Sequence, residues 1–171
     1  MLIIFAGLPG VGKSSIAREL ARRRRAVHLR IDTIEQVLTE AGADDVVRAD
    51  PGLGYRIAYA LAGDNLRLGL TVVGDSVNSL AITRQAWRAV AEAAETPYVE
   101  VEVVCSDAAE HRRRVETRVA DIPGHVPPTW AEVEAREYHA WPGGRIVIDT
   151  AGRSLEACVD ALNAALDDRG P

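Results

Sequence analysis

Lysine is almost absent from this sequence of 171 residues. Of its 20 basic residues, 19 are arginines and the remaining one is Lys13. The composition therefore excludes functions that need a second lysine, such as the NKxD guanine-specificity motif, and it excludes a lysine-rich nucleic-acid tail. The formal net charge of −5 also disfavours nucleic acid as a partner, because non-specific binding depends on many basic contacts to phosphate.

Cysteine and long apolar runs are scarce as well. Cys105 and Cys158 form no CxxC or Cys/His spacing, so neither a zinc site nor a disulfide scaffold is indicated, and two buried, reduced thiols are predicted. No apolar run approaches the roughly 20 residues of a membrane helix. The apolar N-terminus lacks the basic lead of a signal peptide and is too short for one. We therefore expect a cytoplasmic protein with no membrane contact.

Short apolar segments alternate along the chain with segments of helical periodicity. This alternation predicts an α/β fold in three layers, a five-stranded parallel sheet with helices on both faces, as one domain over residues 1–171. Prolines and glycine interrupt the pattern near residues 123–128, and a helical lid is expected at roughly 112–128. The predicted strands cover residues 2–6, 26–31, 70–73, 98–104 and 145–148, and the predicted helices 16–25, 32–41, 55–68, 82–94, 108–118, 130–138 and 155–166.

The strongest motif is GLPGVGKS, Gly7 to Ser14, which fits GxxxxGK[ST] and stands directly between a predicted strand and a predicted helix. Glycines let successive backbone N–H groups point at one anion, and the helix N-terminus adds its positive end. Lys13 would contact the β- and γ-phosphates, and the Ser14 hydroxyl would ligate Mg²⁺. The predicted ATP-binding residues of this loop are Gly7, Pro9, Gly10, Val11, Gly12, Lys13, Ser14 and Ser15.

Two aspartates follow predicted strands. Asp75 ends the third strand, where a second Mg²⁺ ligand belongs, although it could be a turn residue. Ser76 follows it in place of the glutamate that activates water in many ATPases, which favours transfer over hydrolysis. Asp32 ends the second strand, where a carboxylate can act as general base toward a hydroxyl acceptor. Alternatively, Asp32 and Glu35 form a capping box, and one residue could do both.

Four segments together resemble the small P-loop kinases, a group that includes phage polynucleotide kinase, chloramphenicol phosphotransferase and AAA-domain kinase-like proteins. The segments are GLPGVGKSSIA, RID, VVGDSVN and CSDAAEHRRRVETR. The resemblance implies a sheet of order 2-3-1-4-5 and a mobile lid. It also implies that Asp32 is the catalytic base, Asp75 the third-strand acid and Arg118 a lid arginine at the transferred phosphate.

The same resemblance suggests further contacts. Arg114 lies one helical turn before Arg118, so the two side chains are expected to share a face. The loop at residues 149–152, with Gly152, is where related kinases cradle adenine. Two insertions that cover the acceptor in such kinases hold several aromatic residues and Arg56, which are candidates for an acceptor pocket, although large aromatic residues are more often part of the core. Asn78 and Arg84 could contact the substrate, with surface capping at least as good an alternative. The residues of the insertions are Tyr55, Arg56, Tyr59, Trp130, Tyr138 and Trp141.

Three functions stay open from the sequence. The first is an ATP- and Mg²⁺-dependent kinase acting on a hydroxyl of a small molecule, nucleoside-like or antibiotic-like. The second is a polynucleotide 5′-hydroxyl kinase, which Glu35 disfavours because phage-type enzymes carry an arginine at that position to grip a phosphate. The Arg22 to Arg25 run is expected at a helix C-terminus, as a structural feature. The third function is an ATP-binding regulatory module or slow ATPase. The sequence does not set the oligomeric state.

Overall fold

Five parallel strands form the sheet at the centre of the molecule, in the order β2-β3-β1-β4-β5 that was predicted. The computed structural model describes residues 1–169, so the last two residues of the predicted 1–171 domain lie outside the described part. Each strand begins or ends within two residues of its predicted bounds. The strands are β1 (Leu2–Ala6), β2 (Val27–Arg30), β3 (Val72–Asp75), β4 (Tyr98–Val104) and β5 (Ile146–Asp149).

Helices follow each strand, and most match the periodic segments. The one that the sequence did not predict, α3, has six residues, too few for a helical period to be visible. No helix within residues 1–169 is long and apolar enough to cross a membrane. The helices are α1 (Lys13–Arg24), α2 (Ile31–Glu40), α3 (Asp44–Ala49), α4 (Leu53–Arg67), α5 (Ala81–Ala93), α6 (Ala108–Thr117), α7 (Trp130–Glu134) and α8 (Leu155–Asp167).

The sheet separates two cores because successive side chains of a strand point to opposite faces. On β1, Ile3 and Phe5 face the core that contains α1 and α8, whereas Leu2 and Ile4 face the core that contains α4 and α5. In the second core Trp87 is fully buried. Because the five strands are parallel, they all end at the same edge of the sheet, and α1 and α2 begin at that edge.

Two predictions about the periphery have different outcomes. Three arginines in the last turn of α1 make ion pairs with acidic groups of α1 and α8, so the arginine run is structural as expected. Of the two cysteines, Cys158 is buried but Cys105 is half-buried, which corrects the prediction that both are buried. Cys105 follows β4 directly, at the exposed end of the strand.

Candidate active site

The loop between β1 and α1 has the backbone of an anion cradle. Gly7, Gly10 and Gly12 have φ values of 145°, 88° and 93°, in the region that favours glycine. A Cβ atom on Gly7 would lie 2.3 Å from the carbonyl oxygen of Val103, so a side chain has no room there. The N–H groups of Gly10 and Gly12 donate no hydrogen bond to any described residue. They are therefore available to a phosphate.

The outer side of this loop is fixed by two residues from distant parts of the chain. The Thr150 hydroxyl lies 2.9 Å from the carbonyl oxygen of Val11, and His111 Nε2 lies 2.8 Å from that of Pro9. Because a carbonyl only accepts, Nε2 of His111 carries the proton of this bond. The carbonyl groups of Pro9 and Val11 thus accept hydrogen bonds from side chains that lie outside the loop. Sequence reasoning missed His111 because nothing in its spacing relates it to the loop.

Lys13, Ser14 and Asp75 meet at the base of the loop. Lys13 Nζ lies 2.6 Å and Ser14 Oγ 3.2 Å from Asp75 Oδ1, while His28 Nε2 lies 3.2 Å from Oδ2. Burial would raise the pKa of Asp75, but the charge of Lys13 and the hydrogen bonds from His28 and Lys13 outweigh burial and hold the pKa below its ordinary value. Asp75 is therefore a fixed carboxylate in the folded protein and not an exposed turn residue.

The oxygen atoms at this point suit Mg²⁺. A carboxylate and a hydroxyl stand together at the mouth of the phosphate cradle, and Mg²⁺ is commonly held by one or two carboxylates together with substrate phosphates and water. In the described part of the chain, no group of three or more His, Cys, Asp and Glu side chains comes together as a metal site. Phosphate and water would thus have to complete the coordination beyond Ser14 and Asp75.

The loop opens into a cavity of about 760 Å³. Its lining combines the phosphate cradle with the first turns of α2 and α4. The segment that follows α6, which contains most of the predicted lid, also lines the cavity. The lining includes Pro9, Gly10, Gly12, Lys13, Ser14, Ser15, Arg18, Arg30, Asp32, Glu35, Tyr55, Ser76, Arg114, Arg118, Asp121 and Arg136.

Asp32, in the first turn of α2, lines the same cavity as the cradle, with its carboxylate about one-third exposed. The capping-box alternative is wrong, because α2 begins at Ile31, its N-cap is Arg30, and no side chain caps it. The closest cation in the described part is Arg30, whose Nη2 lies 3.8 Å from the Asp32 carboxylate. The Asp32 carboxylate thus makes no hydrogen bond and no close ion pair with the described residues.

The two predicted lid arginines line the cavity but differ in their contacts. Helix α6 ends at Thr117, so Arg118 is its extended C-cap and the two side chains do not share a helical face as expected. Arg114 donates to Thr150 Oγ1 at 2.8 Å and to Glu110 at 2.6 Å. Arg118 makes no ion pair with the described residues and is the less constrained of the two.

The loop predicted to hold adenine lies outside the cavity wall. The Gly152 N–H donates to the Glu110 carboxylate at 2.9 Å, and the Asp149 carboxylate accepts from the N–H of Ser106 at 3.0 Å. Thr150, between them, is buried beneath the cradle. This loop is therefore positioned against the phosphate loop, and the adenine contact of Gly152 stays a prediction.

The segment after α6 is tied to the cavity by Asp121, which sequence reasoning missed. The carboxylate of Asp121 accepts from Arg30 at 2.8 and 2.9 Å and lies 3.4 Å from Arg18. The hydrogen bond from Arg30 lowers the pKa of Asp121 more than partial burial raises it. Side chains from β2, α1 and the segment after α6 thus meet at the lining of the cavity, a contact that no local pattern encodes.

Most of the candidate acceptor aromatics have other roles. Tyr55 lines the cavity, but Tyr59 packs edge-on against Trp87 with 4.7 Å between ring centroids. Trp130 packs edge-on against His111, at 5.1 Å. The packing alternative is therefore confirmed for Tyr59 and Trp130, and of these three aromatic residues only Tyr55 lines the cavity.

The remaining candidates are also structural. Trp141 lies beneath the Arg84 guanidinium, 4.2 Å from its ring centroid, and Tyr138 donates to Glu102. Arg84 is buried and donates to backbone carbonyls of residues 139 and 140, and Arg56 pairs with Asp50. The Asn78 side chain donates to Phe5 O at 2.6 Å. Substrate contacts are thus not assigned to these five residues.

A parallel sheet of this order with a glycine-rich phosphate cradle after β1 defines a P-loop nucleotide-binding fold. The chain belongs to the AAA domain family, whose model AAA_33 matches residues 2–134. The expected resemblance to small P-loop kinases is confirmed at the level of family and fold. No curated protein matches the sequence.

Solved structures share the fold at low identity. A candidate kinase from Chloroflexus aurantiacus J-10-fl is 20% identical with a TM-score of 0.75, covering 98% of this chain and 96% of that one. A sugar kinase from Janibacter sp. HTCC2649 is 18% identical with a TM-score of 0.70, covering 97% and 94%. The Mycobacterium tuberculosis APS kinase CysC, in complex with AMPPNP and APS, is 20% identical with a TM-score of 0.66, covering 97% and 96%.

Proposed function

We propose that this protein is an ATP-dependent kinase that transfers the γ-phosphate to a hydroxyl group of a small molecule. The observation that carries the proposal is one cavity lined both by a phosphate cradle and by the Asp32 carboxylate, whose nearest cation is 3.8 Å away. A hydrolase needs to activate only water, whereas this cavity carries a carboxylate that could take the proton of a second substrate. The segment after α6 also lines the cavity and would limit the access of water to the reaction.

The chemistry assigned to each residue follows from its position. The acceptor oxygen forms a bond to the γ-phosphorus as the bond from that phosphorus to the bridging oxygen of ADP breaks, and the acceptor proton passes to the Asp32 carboxylate. Lys13 and Arg118 offset the charge that spreads over the transferred group. The hydroxyl of Ser14 and the carboxylate of Asp75 would hold Mg²⁺, which supplies charge neutralisation of the phosphates.

The solved structures support a small-molecule acceptor. The neighbours with this fold include an APS kinase, a sugar kinase and, from Sinorhizobium meliloti, a gluconokinase. A nucleic-acid end is the poorer acceptor, because Glu35 faces the cavity three residues after Asp32 and would repel a phosphate there. We also propose that Mg-ATP is the donor of the phosphate and that the reaction takes place in the cytoplasm.

The test is a screen for acceptor-dependent ADP release over alcohols, polyols, nucleosides, aminoglycoside- and chloramphenicol-like compounds and a 5′-hydroxyl oligonucleotide. We expect release with at least one small molecule and a loss of about 100- to 10,000-fold in kcat in Asp32→Asn. Since the Asp32 carboxylate makes no short ion pair, the free energy of unfolding should change by less than about 0.5 kcal/mol.

Asp64→Asn is the matched control, because Asp64 is an exposed aspartate of α4 that does not line the cavity. It should leave ADP release unchanged. If no compound stimulates ADP release, the protein is instead a regulatory module or slow ATPase. If Asp32→Asn keeps full transfer, Asp32 is not the base.

A further inference from the structure

His28 is a polar residue of β2 that the chemistry assigned above does not use. Its side chain is 23% exposed, and Nε2 lies 3.2 Å from Oδ2 of Asp75. Because an ionised carboxylate only accepts hydrogen bonds, Nε2 carries the proton of this bond. It is the one hydrogen bond that the His28 ring makes within residues 1–169. The ring is thus directed at a buried carboxylate.

The pairing of β2 with β3 brings His28 to this carboxylate. In the parallel register His28 stands opposite Val73, and Arg30 stands opposite Asp75. Side chains two residues apart on a strand share a face, so His28 and Arg30 both lie on the face of Asp75. The Arg30 guanidinium, however, donates to Asp121 at 2.8 and 2.9 Å. His28 is therefore the side chain of β2 that donates to Asp75.

The two oxygen atoms of the Asp75 carboxylate have different partners. Oδ1 lies 2.6 Å from Lys13 Nζ and 3.2 Å from Ser14 Oγ, whereas Oδ2 lies beside His28. The torsion that sets the plane of an aspartate carboxylate is broad, so bonds to one oxygen alone fix that plane only weakly. The bond from His28 to the second oxygen fixes it, with Oδ1 directed toward the phosphate loop.

His28 reaches the ligand site only through Asp75. Lys13 and Ser14 line the cavity, whereas in the described part of the chain neither His28 nor Asp75 does, and the Asp75 side chain is fully buried. Mg²⁺ at the Ser14 hydroxyl would meet Asp75 at Oδ1, directly or through a water molecule. The orientation of Oδ1 therefore controls what Asp75 contributes to the metal.

We propose that His28 is a positioning residue for Mg²⁺, because its bond to Oδ2 directs Oδ1 of Asp75 toward the metal. Groups that hydrogen-bond to a metal-binding side chain orient it, and their loss typically weakens metal binding by about 10- to 100-fold. The rival role is purely structural, with His28 serving only as a hydrogen-bond donor for a buried carboxylate. The proposal rests on the proposed use of Mg-ATP.

The experiment measures metal binding without turnover. ADP is titrated calorimetrically into the full chain over a range of Mg²⁺ concentrations and in EDTA, with no acceptor present. Mn²⁺ then replaces Mg²⁺, and electron paramagnetic resonance measures how much of it is bound. In His28→Phe, which keeps a ring but has no donor, the concentration of either metal for half-saturation with ADP should rise by about 10- to 100-fold. The Kd for ADP in EDTA should keep its wild-type value.

Three further variants separate positioning from folding. His28→Gln keeps an N–H donor on a side chain of similar reach and should recover most of the metal affinity. His28→Asn is polar but too short to reach Oδ2, so it should bind metal as weakly as His28→Phe, and it serves if the phenylalanine variant does not fold. His139→Phe is the control, since it makes the same change at an exposed histidine that does not line the cavity. It should bind metal as the wild type does.

The outcomes are distinct. Wild-type metal affinity in the phenylalanine and asparagine variants, even with a lower urea midpoint, would overturn the proposal and leave a structural histidine. Equal weakening of ADP binding with and without metal would also overturn it, as would a glutamine variant as weak as the phenylalanine variant. Each of these results leaves the kinase function standing. A wild-type protein that binds ADP neither with Mg²⁺ nor without it would remove the kinase function, and the role of His28 with it.

Discussion

The two ends of the cavity are built in different ways. At the phosphate end, the loop carbonyls and the Lys13–Asp75 pair are bonded within the protein, and Asp75 is buried. At the acceptor end, Asp32 has only a 3.8 Å ion pair and Glu35 has none among the described residues. The phosphate end is therefore held by bonds within the protein, whereas the two carboxylates at the proposed acceptor end have no close partner among the described residues.

Replacement of Lys13 by methionine should have the largest effect, because it acts on both catalysis and folding. Loss of the charge at the transferred phosphate should lower kcat by at least about 100- to 1,000-fold. The free energy of unfolding should fall by about 3–5 kcal/mol, since a buried carboxylate loses the partner 2.6 Å away. ADP release and urea denaturation measure the two effects.

The double variant Lys13→Met with Asp75→Asn serves as the control for that experiment. Removal of the uncompensated charge should recover most of the stability, while transfer stays lost. A Lys13→Met protein as stable as the wild type would show that the phosphate end is not held together by this pair.

The difference between the two ends also explains what the sequence could predict. The strand bounds, the cradle and the meeting of Lys13, Ser14 and Asp75 follow from a local motif and from the rule that parallel strands end at one edge. The positions of Asp121 and His111 depend on long-range packing of single side chains, and no periodicity reports them. For the aromatic residues the sequence left two roles open, and packing explains most of them because large aromatic side chains gain free energy from burial, as Tyr59 does against Trp87.

Thr150→Val tests the intermediate case, a residue outside the motif that completes the phosphate end. Threonine and valine side chains have similar shapes, but the substitution removes the hydroxyl near the carbonyl oxygens of Val11 and Val104. The Val104 carbonyl still accepts from the backbone N–H of residue 150, but the Val11 carbonyl loses its donor. We therefore expect a loss of about 1–3 kcal/mol in unfolding free energy and a higher KM for ATP. Thr150→Ser, which keeps the hydroxyl, should recover the KM. Equal KM values in the valine and serine variants would mean that Thr150 does not position the loop.

Asp121→Asn should have the smallest effect, because its ion pairs lie at the partly exposed side of the cavity. The Asp121 carboxylate is 38% exposed, so solvent screening limits its contribution to less than about 1 kcal/mol at pH 7. The pKa of Asp121 is lower in the folded protein than its ordinary value of 3.8, so folding favours the ionised form. The stabilisation is therefore present above about pH 4 and is lost as the pH falls through the folded value. Thermal unfolding should show the variant melting at most about 2–4 °C lower at pH 7, with no difference near pH 2.

Asp64→Asn, which removes an exposed pair with Arg67 on α4, provides the comparison for a surface aspartate away from the cavity. A difference between wild type and Asp121→Asn that stays constant from pH 7 to pH 2 would show that the Arg30–Asp121 pair does not stabilise the cover of the acceptor end.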